Sequence, residues 1–309
     1  MPKTDFSQFK VSCTDIHSLL TIPKGVKLKA QELKKYDRLL NSFDEKSEED
    51  LEYIRKIDDK IAALNDAPLS QTTISALIKM YGWKIYNKRV AQKGDALSFM
   101  KKGTDMEVEA VELLSKIDKQ SYSLETDTLE NKYLIGRCDI IRPDKVIDTK
   151  ISWNVNAFMK ARTTPISKKY WYQMQGYMEL YDVPEAEVVF LLLNTPPELI
   201  EREKVKLLNR FMIGEIDREK YELDMENIES AFTYSSIPLK KRYFRFKIKR
   251  EQHIFEKIYK KVDKARIWLQ QFEKDMKTNI FVVPSENYIG SDKNNIELDT
   301  PESDQGDQG

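Results

Sequence analysis

The sequence predicts an α/β fold of the α+β kind, with a central mixed sheet flanked by helices and further helices at the N-terminus. Three observations carry that expectation. A hairpin signal runs from Gly136 to Lys150 with Pro143-Asp144 at its turn. An amphipathic helix pattern covers Lys168 to Tyr181. Glu187-Val-Val-Phe-Leu-Leu-Leu-Asn194 is almost continuously apolar, as a strand buried on both faces is. The chain has 309 residues, 40% hydrophobic and 33% charged, enough for one substantial domain or two small ones.

Along the chain, residues 1–100 read as a mainly helical N-terminal part. It has an extended or helical start at Phe9-Lys-Val-Ser-Cys-Thr-Asp-Ile-His17 and a charged stretch from Leu33 to Asn65. Leu69, Thr73, Leu77, Tyr81 and Ile85 recur at helical spacing and predict a helix from Leu69 to Arg89. Residues 101–280 form the second part. There Gly103 precedes a helix from Thr104 to Ile117, residues 121–128 supply a strand, and 132–142 and 145–151 supply two more, making a three-stranded antiparallel meander. Lys240 to Arg250 holds seven basic residues in eleven. Phe244, Phe246 and Ile248 alternate there with Arg245, Lys247 and Lys249, which predicts a strand with one buried and one basic face. That basic face would either track phosphates or protect a sheet edge from aggregation, and the two readings stand level. Ile254, Ile258, Val262, Ala265, Trp268 and Leu269 mark a structural helix from Glu251 to Lys277.

Residues 285–309 hold seven acidic residues and one lysine, so the neutral chain conceals a mildly basic body. This polar segment is expected to be disordered, as a solubilising tail in preference to a partner contact or nucleic-acid mimic. Two cysteines, Cys13 and Cys138, are too few for a disulfide framework or an iron-sulfur cluster and are expected as reduced core residues. No apolar run approaches the roughly 20 residues of a membrane span, and no secretory signal is present. The expectation is a soluble cytoplasmic protein, of the bacterial host cell if phage-encoded.

The hairpin carries the chemistry. Proline disfavours the tight two-residue turns, so a four-residue loop, Arg142 to Lys145, is expected. That loop pairs Ile140 with Ile147, sets Asp139 opposite Asp148, and leaves Lys150 on the face of Asp148. Two facing carboxylates are unfavourable unless a cation lies between them, and Mg²⁺, held by one or two carboxylates, waters and phosphate, suits phosphodiester hydrolysis. Lys150 is then placed to orient water or stabilise phosphate charge. A charged hairpin face is usually just solvated, and on the hairpin alone the two readings are even. Asp144, in the turn, reads as structural, which leaves the metal role to Asp139.

The ordered motifs resemble those of the PD-(D/E)XK nuclease superfamily, and within it the lambda exonuclease and YqaJ-type viral recombinase group. The resemblance rests on Gly103-Thr-Asp-Met-Glu107-Val-Glu-Ala110, on Gly136 with Asp139, on Asp148-Thr-Lys150, on Gln173-Met-Gln-Gly-Tyr177, and on the serine-containing segment Phe9 to Thr21. It spans roughly residues 9 to 275. The acid of the (D/E)-x-K motif is Asp rather than the Glu of some relatives.

The resemblance implies that Glu107, Asp139, Asp148 and the Thr149 backbone carbonyl bind Mg²⁺, for which Mn²⁺ can substitute, with Lys150 beside the nucleophilic water. It places Gln173 and Tyr177 at the site or the substrate backbone. Tyr170, Trp171, Met174, Met178 and Tyr181 of the same helix read as core, and Lys168 and Lys169 at its start as substrate contacts. The implied activity is exonucleolytic degradation of linear duplex DNA for phage or prophage recombination. A ring-shaped homo-oligomer and a single-strand annealing partner follow by the same analogy. The rival readings are an endonuclease of this fold and a non-catalytic DNA-binding protein.

Overall fold

A computed structural model describes residues 5–22, 30–40, 46–66, 68–87 and 95–277. The acidic segment 285–309 lies outside the described residues. Met1–Leu269 form one compact unit, and a second, from Gln270, contains the last turn of the final helix among its described residues.

A short 3-10 turn, Phe6–Gln8, leads into β1 (Val11–Ser12), a second such turn at Cys13–Asp15 and α1 (Ile16–Leu19). The helices α2 (Ala30–Leu40), α3 (Glu48–Asp66), α4 (Gln71–Tyr86) and α5 (Asp95–Asp105) follow. Ser70 caps α4 by accepting from the Thr73 amide, and Asn87 ends it in the left-handed conformation. Then come α6 (Glu107–Asp118), β2 (Leu129–Glu130), β3 (Leu134–Gly136), β4 (Ile140–Ile141), β5 (Lys145–Ile151), α7 (Val155–Thr163), α8 (Lys168–Leu180) and β6 (Glu185–Leu191). The chain continues through α9 (Pro197–Met212), α10 (Arg218–Ala231), β7 (Tyr243–Lys249) and α11 (Gln252–Asp275).

The strands form two sheets. One has the order β1-β3-β2, the other β4-β5-β6-β7. In the larger sheet β5 and β6 run parallel over seven residue pairs, while β4 and β7 flank them antiparallel, so the sheet is mixed as expected. The α7–α8 crossover supplies the return path that a parallel pair requires. Val146, Ile147, Asp148 and Thr149 of β5 are all buried, as is β6 from Ala186 onward, because helices cover both faces. On one face Met106, Ala110, Val111 and Leu114 pack on Ile140, Ile147, Val189 and Leu191. On the other lies α8, with Met174 and Met178 fully buried. Cys13 and Cys138 are free and buried. No helix among the described residues is long and apolar enough to cross a membrane.

Three expectations are corrected. Residues 132–142 are not one strand: β3 and β4 belong to different sheets, separated by Arg137-Cys138-Asp139. Residues 121–128 form no strand, and the nearest one is β2, so the antiparallel meander is absent. Gly103 does not precede a helix but lies within α5, with nothing within 4 Å of where a Cβ would be, and the break falls at Met106. The strand with a basic face is present as β7: Arg245 pairs with Asp118 at 2.7 Å and Glu187 at 2.9 Å, Lys247 and Lys249 are exposed, and Arg250, just past the strand, pairs with Glu179 and Asp182.

Candidate active site

The hairpin turn is the one expected. Arg142 and Lys145 bond each other across it, Ile140 pairs with Ile147, and Ile141 with Val146. The ladder stops there. At Asp139, the next position, the backbone carbonyl accepts from Glu125 N at 2.7 Å, while the carboxylate accepts from Thr149 N at 2.6 Å and Thr149 Oγ1 at 2.7 Å. These charge-assisted bonds fix one carboxylate oxygen of Asp139 against β5. Asp144 is exposed in the turn.

Asp148 is 2% exposed. Gln173 Nε2 donates to its Oδ1 at 3.2 Å and also to the Tyr177 hydroxyl at 3.0 Å, so the glutamine and tyrosine one turn apart on α8 act as a bracket for the carboxylate. Lys150 Nζ lies 2.5 Å from Asp148 Oδ2 and 5.1 Å from the centre of the Tyr170 ring. That contact is an ion pair, so Oδ2 is neutralised by Lys150 while Oδ1 is held by Gln173.

The titration behaviour agrees. Burial pushes the Asp148 carboxyl up to about 6; Lys150 opposes this, and Asp139 and Glu107 add to it. Burial alone would pull Lys150 down, but Asp148 and Asp139 outweigh it, so the side chain is held as an ammonium above its ordinary value. Burial also raises Glu107, followed by repulsion from Asp139, with Arg137 and Lys150 opposing. Tyr177 is raised by burial and then by Asp148, so it remains a neutral hydroxyl. Asp148 and Glu107, each made harder to ionise by burial and by neighbouring carboxylate charge, form a site that attracts a cation.

Glu107 is the first residue of α6, where the unpaired helix amides favour an acid. It faces the site with Arg137 Nη2 at 3.9 Å, whereas Glu109 and Glu112 are exposed. Among the described residues no three of His, Cys, Asp and Glu already converge into a metal cage. Mg²⁺ ordinarily takes only one or two carboxylates and completes its shell with water and phosphate, so the acid set of Asp148, Asp139 and Glu107 fits that ion.

Glu107, Asp139, Thr149, Lys150 and Gln173 line one cleft of about 940 Å³, whose walls come from α5, α7 and α8. Lys169 lines it too, but Lys168, one residue earlier, is exposed and outside its lining. Tyr170, expected in the core, instead stands half-buried in the cleft wall. Lys160 and Trp153 were not anticipated there, since their stretch carries no motif; only the proximity of α7 to β5 reveals them. The N-terminal segment serves the site from behind. Cys13 fills the space beside two glycines: a Cβ on Gly136 would come within 2.9 Å of Cys13 Sγ and of Tyr177, and one on Gly176 within 2.8 Å of the same sulfur and 2.5 Å of Ile16. Only glycine lets β3, α8 and this segment approach so closely.

No family model matches the sequence, and no curated protein matches it. Solved structures do. A phage related exonuclease from Haemophilus somnus 129PT matches with a TM-score of 0.58 and 23% identity, over 87% of this chain and 97% of that chain. An alkaline exonuclease from Laribacter hongkongensis matches at 10% identity and a TM-score of 0.49, over 88% of this chain and 93% of that chain. The first of these likenesses covers nearly the whole length of that structure, and this chain therefore has its fold.

Proposed function

We propose that the protein is a Mg²⁺-dependent exonuclease that degrades linear double-stranded DNA from its ends, of the kind used in phage or prophage recombination. The observation that carries this reading is the buried Asp148 carboxylate, held by Gln173 on one side and ion-paired with Lys150 on the other, directly behind a cleft lined by Glu107, Asp139, Thr149, Lys150 and Gln173. The phage related exonuclease of the same fold supports it.

Glu107, Asp139, Asp148 and the Thr149 carbonyl would hold the Mg²⁺, or Mn²⁺ in its place. Bound there, the ion would supply Lewis acidity toward the phosphoryl oxygen and a water of lowered pKa. The chain's own groups do the rest. At neutral pH Asp148 is ionised and Lys150 is an ammonium, so Lys150 donates: it orients the attacking water and stabilises charge developing on the phosphate. Gln173 keeps Asp148 from rotating. Tyr177, neutral and buried, offers its oxygen to the same amide, which leaves that amide's position over-determined. Asp139 is held by two donors from Thr149, so its carboxylate cannot swing away when substrate arrives. Lys169 and Lys160 at the cleft wall suit backbone phosphates, which position the strand without reading sequence. A homo-oligomer and an annealing-protein partner are proposals that rest on family resemblance.

The test is incubation of linear duplex and covalently closed plasmid with Mg²⁺, Mn²⁺ or EDTA. Linear duplex consumed with either metal, circles spared and EDTA inert is the expected result. Circles cut as readily would replace the exonuclease by an endonuclease, and no hydrolysis with either metal would overturn the nuclease reading.

A further inference from the structure

Lys102, on α5, is 0% exposed, an uncommon place for a lysine, and among the described residues it forms no ion pair with a carboxylate. Its Nζ donates to the carbonyls of Ser152 at 3.1 Å and Trp153 at 3.0 Å, and it lies 5.8 Å from the centre of the Trp153 ring and 5.5 Å from that of Tyr234. Those two carbonyls belong to the turn between the end of β5 at Ile151 and the start of α7 at Val155, where neither ladder nor helix claims them. The Trp153 ring is itself packed between Phe99, at 5.0 Å, and Phe232, at 5.2 Å.

The turn and α5 are two walls of the same cleft: Phe99 and Gly103 line it from the helix, and Ser152 and Trp153 from the turn. We propose that Lys102 is a positioning residue whose buried ammonium pins the Ser152–Trp153 turn to α5 and so sets the width of the cleft that receives the nucleic-acid backbone. The role of the cleft rests on the nuclease reading above; the pin itself does not.

Burial pulls the Lys102 ammonium down to about 7, so the pin loses its charge within the physiological range. The titratable group facing it from another element is Tyr234, which burial pushes up to about 12 and which stays neutral throughout. On its own helix Lys101 and Asp105 pair with each other at the surface. The neutral amine still donates hydrogen bonds but loses its attraction to both rings. Rising pH therefore loosens the turn and removes a positive charge from beside the cleft.

The experiment uses the full chain in EDTA, so that nothing is hydrolysed. Indole emission is followed from pH 5.5 to 9 for wild type, Lys102→Met and Trp153→Phe. Anisotropy of a labelled linear duplex gives the affinity over the same range. Wild type is expected to show an emission step near pH 7 that is absent from both variants. Duplex affinity should fall on the order of tenfold in Lys102→Met, equivalent to about 1.4 kcal/mol, and lose its weakening across that step. If Lys102→Met does not fold, the comparison of wild type with Trp153→Phe still decides: no step assignable to Trp153 overturns the proposal. So does a Lys102→Met protein with wild-type affinity and an unchanged step. A wild-type protein that shows the step and the affinity difference but cuts no DNA with Mg²⁺ would support the pin while removing the nuclease reading.

Discussion

Replacing Asp148 by asparagine should stabilise the metal-free protein at neutral and alkaline pH while abolishing its hydrolysis. Burial raises this carboxyl from 3.8 to about 6. Because the folded value exceeds the unfolded one, the folded chain holds more protons between those two pH values, and stability falls as pH rises through them. Each pH unit of displacement is worth about 1.4 kcal/mol, so the ionised carboxylate costs the fold about 3 kcal/mol by pH 8. That figure is already net of the Lys150 attraction, so asparagine recovers it, less the cost of burying an amide NH₂ among donors in place of a carboxylate. A net gain of about 1–2 kcal/mol remains, the usual trade between stability and a strained functional group. Urea unfolding in EDTA at pH 8 and at pH 4.5 measures it. The gain should be present at pH 8 and largely gone at pH 4.5, where wild-type Asp148 is protonated in the folded state. An asparagine variant less stable than wild type at pH 8, or equally shifted at both values, would refute the reasoning.

The remaining predictions address packing and charge. Gly176→Ala should cost about 1–3 kcal/mol in urea unfolding, since its Cβ would approach Ile16 to 2.5 Å and Cys13 to 2.8 Å. Gly82→Ala, with nothing within 4 Å in the middle of α4, should gain about 0.5–1 kcal/mol in the same assay. Arg245→Ala leaves Glu187, 3% exposed, with Lys145 alone and should destabilise by about 2–4 kcal/mol without changing duplex affinity in a filter-binding titration. Lys160→Ala and Lys169→Ala should each weaken duplex binding and flatten the logarithmic salt dependence by about 0.9, read from anisotropy at several salt concentrations.

The parts of this fold legible in the sequence are those set by local chemistry. Pro143-Asp144 specifies a turn length, and turn length specifies register, so Ile140 opposite Ile147 and Asp139 beside β5, with Asp144 left in the turn, were both within reach. The apolar run after Glu187 reads as a buried strand because a parallel strand covered on both faces has no polar alternation to show.

What was not legible depends on contacts distant in sequence. Residues 132–142 have the composition of one strand. They are divided because Gly136 must sit against Cys13 and Tyr177, while the Asp139 carbonyl leaves its ladder for Glu125. Tyr170 follows the apolar stripe of α8 yet lies in the cleft, where Lys150 approaches its ring; periodicity cannot tell a wall from a core. The paired helices α9 and α10, packed around Leu207, Ile216 and Ile228, carry no chemical motif that would mark them in the sequence. Within the site, the motif spacing singled out Asp139, Asp148, Lys150 and Gln173. Asp139's anchoring on Thr149 and Tyr177's support of Gln173 are tertiary facts.

The central claim is that this cluster hydrolyses DNA, and one measurement addresses it most directly. End-labelled linear duplex is incubated with Mg²⁺ and either the wild-type chain or Lys150→Ala, and product lengths are followed over time, with duplex binding measured alongside. Progressive shortening from the ends by wild type, and no products from a Lys150→Ala protein that still binds duplex, is the predicted result. Cleavage by Lys150→Ala at the wild-type rate would contradict the account.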